Sequence, residues 1–236
     1  MSFVDLHNHL LWALDDGPVE AAETLTLARA LVAAGFSDVA ATPHAAQASA
    51  ATQIARRAEA QAMIDREGIA LKLHPGSENK LDPDFFDRIG KGDARPLGTG
   101  RYVLVEAPFQ DPLPAVAELT YRLQLAGWMP VIAHPERCAE FIQHPERCEQ
   151  LANAGCALQV EVGSFAGVYG KPAKKMATRL VDEGLAILAA TDLHRATKGP
   201  AILEEGLAAL TKHVGPRMVE KLLSENPRRI LAGESL

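Results

Sequence analysis

The stretch FVDLHNH, residues 3–9, decides how the chain is to be read. A strand-like start runs into two histidines spaced i, i+2. Such positions face one side of an extended chain, so His7 and His9 can offer both imidazoles to one ion. Alone, an HxH pair is weak, because a lone histidine is usually structural. AILAATDLH, residues 186–194, repeats the spacing near the other end of the chain with Asp192 and His194. Pairs so distant in sequence become neighbours when a barrel closes and brings the first and last strands together.

Similar apolar runs recur between them, each ending in a polar or ionisable residue: DVAATPH (38–44), ALKLHPGSE (70–78), YVLVE (102–106), PVIAH (130–134) and ALQVEVGS (157–164). Segments of helical period separate the runs. In VEAAETLTLARALVAAG (19–35), Ala22, Leu25, Ala28, Leu31 and Val32 form one apolar stripe closed by Gly35. The others are 50–67, 112–126, 144–154, 171–183 and 200–213. Strands alternating with helices imply parallel pairing through right-handed crossovers. Seven β-α units in 236 residues favour a TIM-like barrel, α/β in class, over an open sheet.

The bulk composition agrees with one domain over residues 1–236, with 47% hydrophobic and 23% charged residues and no linker or low-complexity tract. No apolar run approaches the roughly 18 residues of a membrane span, so neither signal peptide nor anchor is expected. Three cysteines, Cys138, Cys148 and Cys156, suit neither a disulfide framework nor a zinc knuckle, and a reducing cytoplasm is their natural setting. A net charge of -6 offers no footprint for nucleic acid, so an anionic substrate needs local positive charge. Oligomeric state is not legible.

Barrel chemistry gathers where strands end. Here the ends carry His7, His9, His44, Glu78, Glu106, His134, Asp192 and His194, with Asp16 in the first βα loop. Histidine and carboxylate without cysteine suit Mn²⁺, Fe or Zn²⁺. Nine candidate ligands exceed what one ion needs, so two or three ions are the economical reading. Four carboxylates in one cavity would otherwise repel. The competing view is that these groups merely terminate strands and stay solvated.

The order HxH (His7, His9), DDGP (Asp15 to Pro18), ATPH (Ala41 to His44), GxE (Gly76 to Glu78), VE (Val105, Glu106), AHPER (Ala133 to Arg137), GSFxGxYG (Gly163 to Gly170) and TDLH (Thr191 to His194) resembles the PHP superfamily. Within it the chain is similar to the manganese-dependent protein-tyrosine phosphatases of capsule and exopolysaccharide loci, the CpsB/CapC type. The resemblance runs from residue 5 to about residue 195, weakly beyond. It implies a distorted (β/α)₇ barrel with three divalent ions, Mn foremost and Fe or Zn as options. One ion would take His7, His9, Glu78 and Asp192; Glu78 would bridge to a second on Glu106 and His134; a third would take Asp16, His44 and His194. It also implies a phosphotyrosine protein as substrate, namely the tyrosine-rich tail of a polysaccharide-locus kinase.

Such ions would lower the pKa of a water and neutralise phosphoryl oxygens for hydrolysis of a tyrosyl phosphate, and a phenolate of pKa about 10 needs little acid assistance to leave. Arg137, three residues past His134, is a catalytic and substrate-binding candidate for the phosphate, against a surface ion pair with Glu136 or Glu140. Arg195 and Lys198 compete as the second clamp: here the chain departs from its relatives, which tend to place an arginine several residues beyond the last histidine, and RATKG offers these two instead. The string HPERC occurs twice, at 134–138 and 144–148. The first copy follows the run PVIA and ends a strand. In the second, Pro145 and Glu146 suit a helix start, which makes His144 an exposed look-alike. A cysteine phosphatase is excluded, since no arginine stands six residues beyond any cysteine. His74 belongs in or just after strand three. Glu161 either faces the barrel or forms a buried salt bridge. The run 160–171 suits a Gly-rich loop, where Phe165 and Tyr169, with Phe109, either flank an aromatic ester or pack. Two rival functions stand beside the tyrosine phosphatase: a small-molecule phosphatase, as for histidinol phosphate, or a phosphodiesterase; and a non-catalytic metal-bound scaffold.

Overall fold

The computed structural model describes residues 2–82, 84–109 and 116–236. Every strand pairing in it is parallel. β1 (Phe3–Asn8), β2 (Phe36–Ala41) and β3 (Lys72–Pro75) make one sheet; β4 (Glu78–Lys80), β5 (Tyr102–Glu106), β6 (Met129–Ala133), β7 (Ala157–Glu161) and β8 (Ala186–Ala190) make the other. Isolated parallel bridges, Asn8 to Leu193 and His44 to Glu78, join the two. The circle therefore has seven strand positions, because β3 and β4 are one strand broken at Gly76 and Ser77. A Cβ on Gly76 would stand 2.8 Å from Thr42 Cγ2, so the break needs glycine. The expected run 70–78 covers both halves; the interruption was not foreseen.

Between the strands lie α1 (Ala21–Ala33), α2 (Ala50–Arg66), α3 (Phe85–Lys91), α4 (Val116–Leu125), α5 (Ala139–Gln143), α6 (Glu146–Asn153), α7 (Val162–Ala166), α8 (Gly170–Asp182), α9 (Gly199–Glu220) and α10 (Asn226–Leu231). The first residues of the helix expected at 112–126 lie outside the described residues. α9 kinks at Gly215, φ 76°, followed by Pro216, where the apolar period of 200–213 runs out. The stretch 160–171 is a correction. Rather than one loop it ends β7, forms the short helix α7 and leaves only a turn at 167–169 before α8, because the buried Glu136 carboxylate accepts from Glu161 N–H at 2.8 Å and Ser164 Oγ at 2.7 Å and caps the first turn.

Two apolar layers follow from the alternation of each strand. One face of β5, Val103 and Val105, packs outward against the helices. The other, Tyr102 and Leu104, joins Val4, Leu6, Ala40, Val131, Ala133 and Leu188 inside the barrel. Continued along β5, that inner face arrives at Glu106. Ile230 of α10 belongs to the inner layer and closes the opposite end of the barrel, where Asn226 Nδ2 donates to Ile187 O at 2.8 Å and Arg228 Nη2 to Ser2 O at 3.0 Å. Residues 215–236 thus dock on the barrel of their own chain. No helix among the described residues is long and apolar enough to cross a membrane.

Ile230 is fully buried. Ile230→Ala is expected to lower the unfolding free energy by about 2–5 kcal/mol, read from denaturant melts. A loss under ~1 kcal/mol would mean that α10 is not part of the core.

Candidate metal centre

Alternation alone would not bring His7 inward, since Leu6 already points into the barrel. The β1–β2 pairing shifts register between Asp5 and Asn8, and this irregularity re-aims the histidines. On β6 the same difficulty arises after Ala133, and His134 resolves it with φ 33°. Asp192 takes φ 48°. Such left-handed conformations are costly for non-glycine residues and cluster where side chains must be aimed. Buried Asp5 holds the first and last strands together: it accepts from Thr191 N at 3.0 Å, Thr191 Oγ1 at 2.5 Å and Asn8 Nδ2 at 2.9 Å.

All nine candidate ligands meet at the C-terminal strand ends. His7 Nε2 and His9 Nε2 lie 3.2 Å apart. Asp192 Oδ1 is 3.1 Å from the first and 3.4 Å from the second. Glu78 stands at the centre. Its Oε1 is 3.3 Å from His7 Nε2 and 3.0 Å from His134 Nε2; its Oε2 is 3.3 Å from His9 Nε2 and 2.9 Å from His44 Nδ1. Glu106 lies 3.9 Å from His134 Nε2, and its carboxylate also groups with His44 and Glu78. Asp16, exposed in the DDGP loop, is 3.2 Å from His194 Nε2 and 3.5 Å from His44 Nε2. His194 stacks on His9 with ring centroids 3.9 Å apart. Gly17 lets the loop pass this close, because any Cβ there would collide with the His9 carbonyl.

This donor set fits divalent cations. Buried Asp192 Oδ1 has no hydrogen-bond partner among the described residues, and two imidazole nitrogens, His7 Nε2 and His9 Nε2, face each other at 3.2 Å. Outer groups set the tautomers. Asp15 Oδ2, 2.7 Å from His9 Nδ1, accepts its proton and leaves Nε2 as a ligand, while His194 Nδ1 donates to Asp192 O at 2.8 Å. Gln159 places its amide 3.1 Å from His7 Nδ1, and its Oε1 is unpartnered. Turning that amide by 180° would give Oε1 the Nδ1 proton and leave His7 Nε2 free to ligate.

Electrostatics agree. Burial works against the charged form of Glu78, but the His7 charge and the His134 hydrogen bond outweigh it and hold the carboxyl well below its ordinary range. Asp192 is likewise held low, by His7, His194 and His9 against its burial. Burial would lower His134; the Glu78 hydrogen bond and then the Glu161 charge raise it to about 9. Glu106 is raised by burial and by the Glu78 charge.

Arg137 does not pair with Glu136 or Glu140. Its Nη1 donates to Glu161 Oε1 at 2.6 Å and to Asp192 Oδ2 at 2.9 Å. The rings of Phe109 and Tyr169 lie 4.6 Å and 4.3 Å from its guanidinium carbon. Arg195 and Lys198 are exposed, and neither lines the cavity described below. Phe165 is a packing residue, buried in the core. His74 pairs with Asp38 at 2.8 Å, away from the cluster. In the second HPERC copy His144 is half exposed and faces Glu146 at 3.3 Å. Both copies begin a helical turn; they differ in that a strand delivers His134. The three cysteines are buried free thiols, Cys148 pushed up to about 12 and Cys156 to about 11 by burial, so none supplies a ready thiolate. Sequence reading passed over Asp15 and Gln159 and left Glu161 undecided. Glu161 ends its strand as Glu106 does, and Gln159 shares its face, so the strand-end rule would have found both.

A cavity of about 340 Å³ opens over the cluster, lined by His44, Glu78 and Glu106 with Ala46, Gln47, Lys80, Pro108 and Phe109.

The capsular polysaccharide synthesis family model, CpsB/CapC, matches residues 3–232. Tyrosine-protein phosphatase YwqE of Bacillus subtilis (strain 168) is 34% identical, over 99% of this chain and 93% of that protein. The putative tyrosine-protein phosphatase CapC of Staphylococcus aureus is 29% identical, over 86% and 81%. A crystal structure from work on YwqE of Bacillus subtilis and CpsB of Streptococcus pneumoniae, described as unique metal-dependent tyrosine phosphatases, superimposes with a TM-score of 0.91 at 32% identity, over 99% of this chain and 96% of that one. Fold and strand-end cluster define a barrel of the metal-dependent hydrolase type. The chain belongs to the CpsB/CapC family.

His134 generates a pH signature. Its value rises on folding from 6.5 to about 9, so in metal-free protein its contribution to stability is complete below about 6.5 and fades as pH climbs through 9. Ligation needs the unprotonated ring, so ion affinity strengthens over the same window. Thermal melts of chelator-stripped protein are expected to fall from pH 6.5 to 9 while the Mn²⁺-stabilised increment grows. A metal-free curve that rises there, or no increment with metal, contradicts the assignment.

Proposed function

We propose that this chain is a single-domain, metal-dependent phosphoric monoester hydrolase that removes phosphate from phosphotyrosine in protein. The observation that carries the reading is Glu78, a buried carboxylate within reach of four imidazoles at the floor of an open cavity. His7, His9, Glu78 and Asp192 would hold one divalent ion; Glu78, Glu106 and His134 a second; Asp16, His44 and His194 a third. Manganese is the expected metal. When bound, the ions would lower the pKa of a water molecule and neutralise phosphoryl oxygens.

The chain's own residues supply the rest. Pro108 and Phe109 give the cavity an apolar wall suited to an aromatic ring. Arg137 brings a fixed positive charge beside the cluster, needed in a chain of net charge -6 whose site is dominated by carboxylates. Arg195, next to His194, and Lys198 are the further cations for the substrate. Lys80 lines the cavity itself. The family relation supports a capsule-locus tyrosine kinase as phosphoprotein partner and a cytoplasmic setting.

The test uses metal-free protein reloaded with Mn²⁺ and offered a phosphotyrosine peptide, a phosphoserine peptide and histidinol phosphate. Turnover of the phosphotyrosine peptide alone is expected. Histidinol phosphate turnover would favour a small-molecule phosphatase, and silence on all three a regulatory scaffold. His134→Ala is expected to abolish turnover, whereas His144→Ala, a surface change, should stay within about 2-fold of wild type. Equal losses would overturn the distinction between the two HPERC copies.

A further inference from the structure

Glu161 is fully buried at the end of β7, yet none of the three ligand sets uses it. Its carboxylate groups with His134 and Asp192 closely enough to hold a cation, and its Oε2 has no partner among the described residues. A cation is already there. Arg137 Nη1 lies 2.6 Å from Glu161 Oε1 and 2.9 Å from Asp192 Oδ2, and a guanidinium between two carboxylates takes the place an ion would otherwise fill. The rings of Phe109 and Tyr169, 4.6 Å and 4.3 Å from the guanidinium carbon, confine it further. Behind Glu161, its own backbone N–H is fixed on the Glu136 carboxylate at 2.8 Å. A guanidinium carries five N–H donors, and only Nη1 is engaged among the described residues, so Nε and Nη2 keep theirs. Arg137 retains 23% side-chain exposure although Glu161 has none.

We propose that Glu161 is a positioning residue: it anchors one end of the Arg137 guanidinium behind the cluster, leaving Nε and Nη2 oriented for a phosphoryl group. The proposal rests on the reading of Arg137 as the phosphate-binding side chain. Glu161 touches no substrate and holds no metal. Without it, Arg137 keeps its charge but loses its fixed direction, and only Asp192, itself a ligand candidate, remains to hold it.

The test is a double-mutant cycle in Mn²⁺-loaded full-length protein with Glu161→Gln, Glu161→Ala, Arg137→Ala and the corresponding double variants. Three quantities are read: affinity for inorganic phosphate by calorimetry, kcat and KM on a phosphotyrosine peptide, and bound metal per chain. Glu161→Ala is expected to weaken phosphate binding and kcat/KM by about 10- to 100-fold, as loss of a residue supporting a site typically does. Glu161→Gln, isosteric and still an acceptor, should fall between Glu161→Ala and wild type, and it carries the cycle if the alanine variant does not fold. Metal content should not change. Either double variant should be no worse than Arg137→Ala alone, because Glu161 acts through that arginine. Effects that multiply, a lost ion in a Glu161 variant, or wild-type phosphate affinity in Glu161→Gln would each overturn the proposal. If wild type binds phosphate but turns over no phosphotyrosine, the proposed activity fails while the binding cycle still decides the role of Glu161.

Discussion

One buried carboxylate organises the site. Glu78 lies within 2.9–3.3 Å of nitrogens from four imidazoles that come from three parts of the chain: His7 and His9 at the end of β1, His44 after β2 and His134 directly after β6. In water such a group would be hydrated, and in an apolar interior it would be protonated. Here histidine charge keeps it ionised, and that same negative charge raises His134. Neither partner keeps its ordinary ionisation alone. This mutual dependence suits the cluster to cations: divalent ions would take over the charge balance that protons on the imidazoles supply in their absence.

Bringing the cluster together requires departures from regular barrel geometry. A register shift in β1, a strand broken at Gly76 and left-handed backbone at His134 and Asp192 all fall within the same layer of the barrel. Left-handed non-glycine residues cost of order 1–3 kcal/mol each. The compensation lies in the two apolar layers below and around the site, including Ile230 at the far end. The regular part of the barrel supports the irregular part.

Much of this was legible in the sequence because the strand ends announce themselves. YVLVE coincides with β5 to the residue, and the nine candidate ligands from strand ends and the first loop lie in one cluster. What escaped reading were effects set by tertiary neighbours. The run GSFAGVYG has loop composition, yet the Glu136 carboxylate, distant from it in sequence, caps its first half into a helix and leaves only 167–169 as a turn. Asp15 hid beside Asp16, since adjacent acids look alike until one of them is seen on His9 Nδ1. The partner of Arg137 was sought among its sequence neighbours Glu136 and Glu140, whereas the fold supplies Glu161 from the next strand. The duplicated HPERC was separable only by what precedes it.

The two sheets are not one continuous hydrogen-bonded ring. Among the described residues, isolated bridges at Asn8–Leu193 and His44–Glu78 join their edges, and both seams run through the cluster. His7 and His9 face Asp192 and His194 across one, and His44 faces Glu78 across the other. An ion held from both sides of a seam would work as a rivet, so that its binding energy would also become cohesion of the cylinder. Metal occupancy and mechanical integrity of the shell would then rise and fall together, and starvation for metal would loosen the wall beside the cluster.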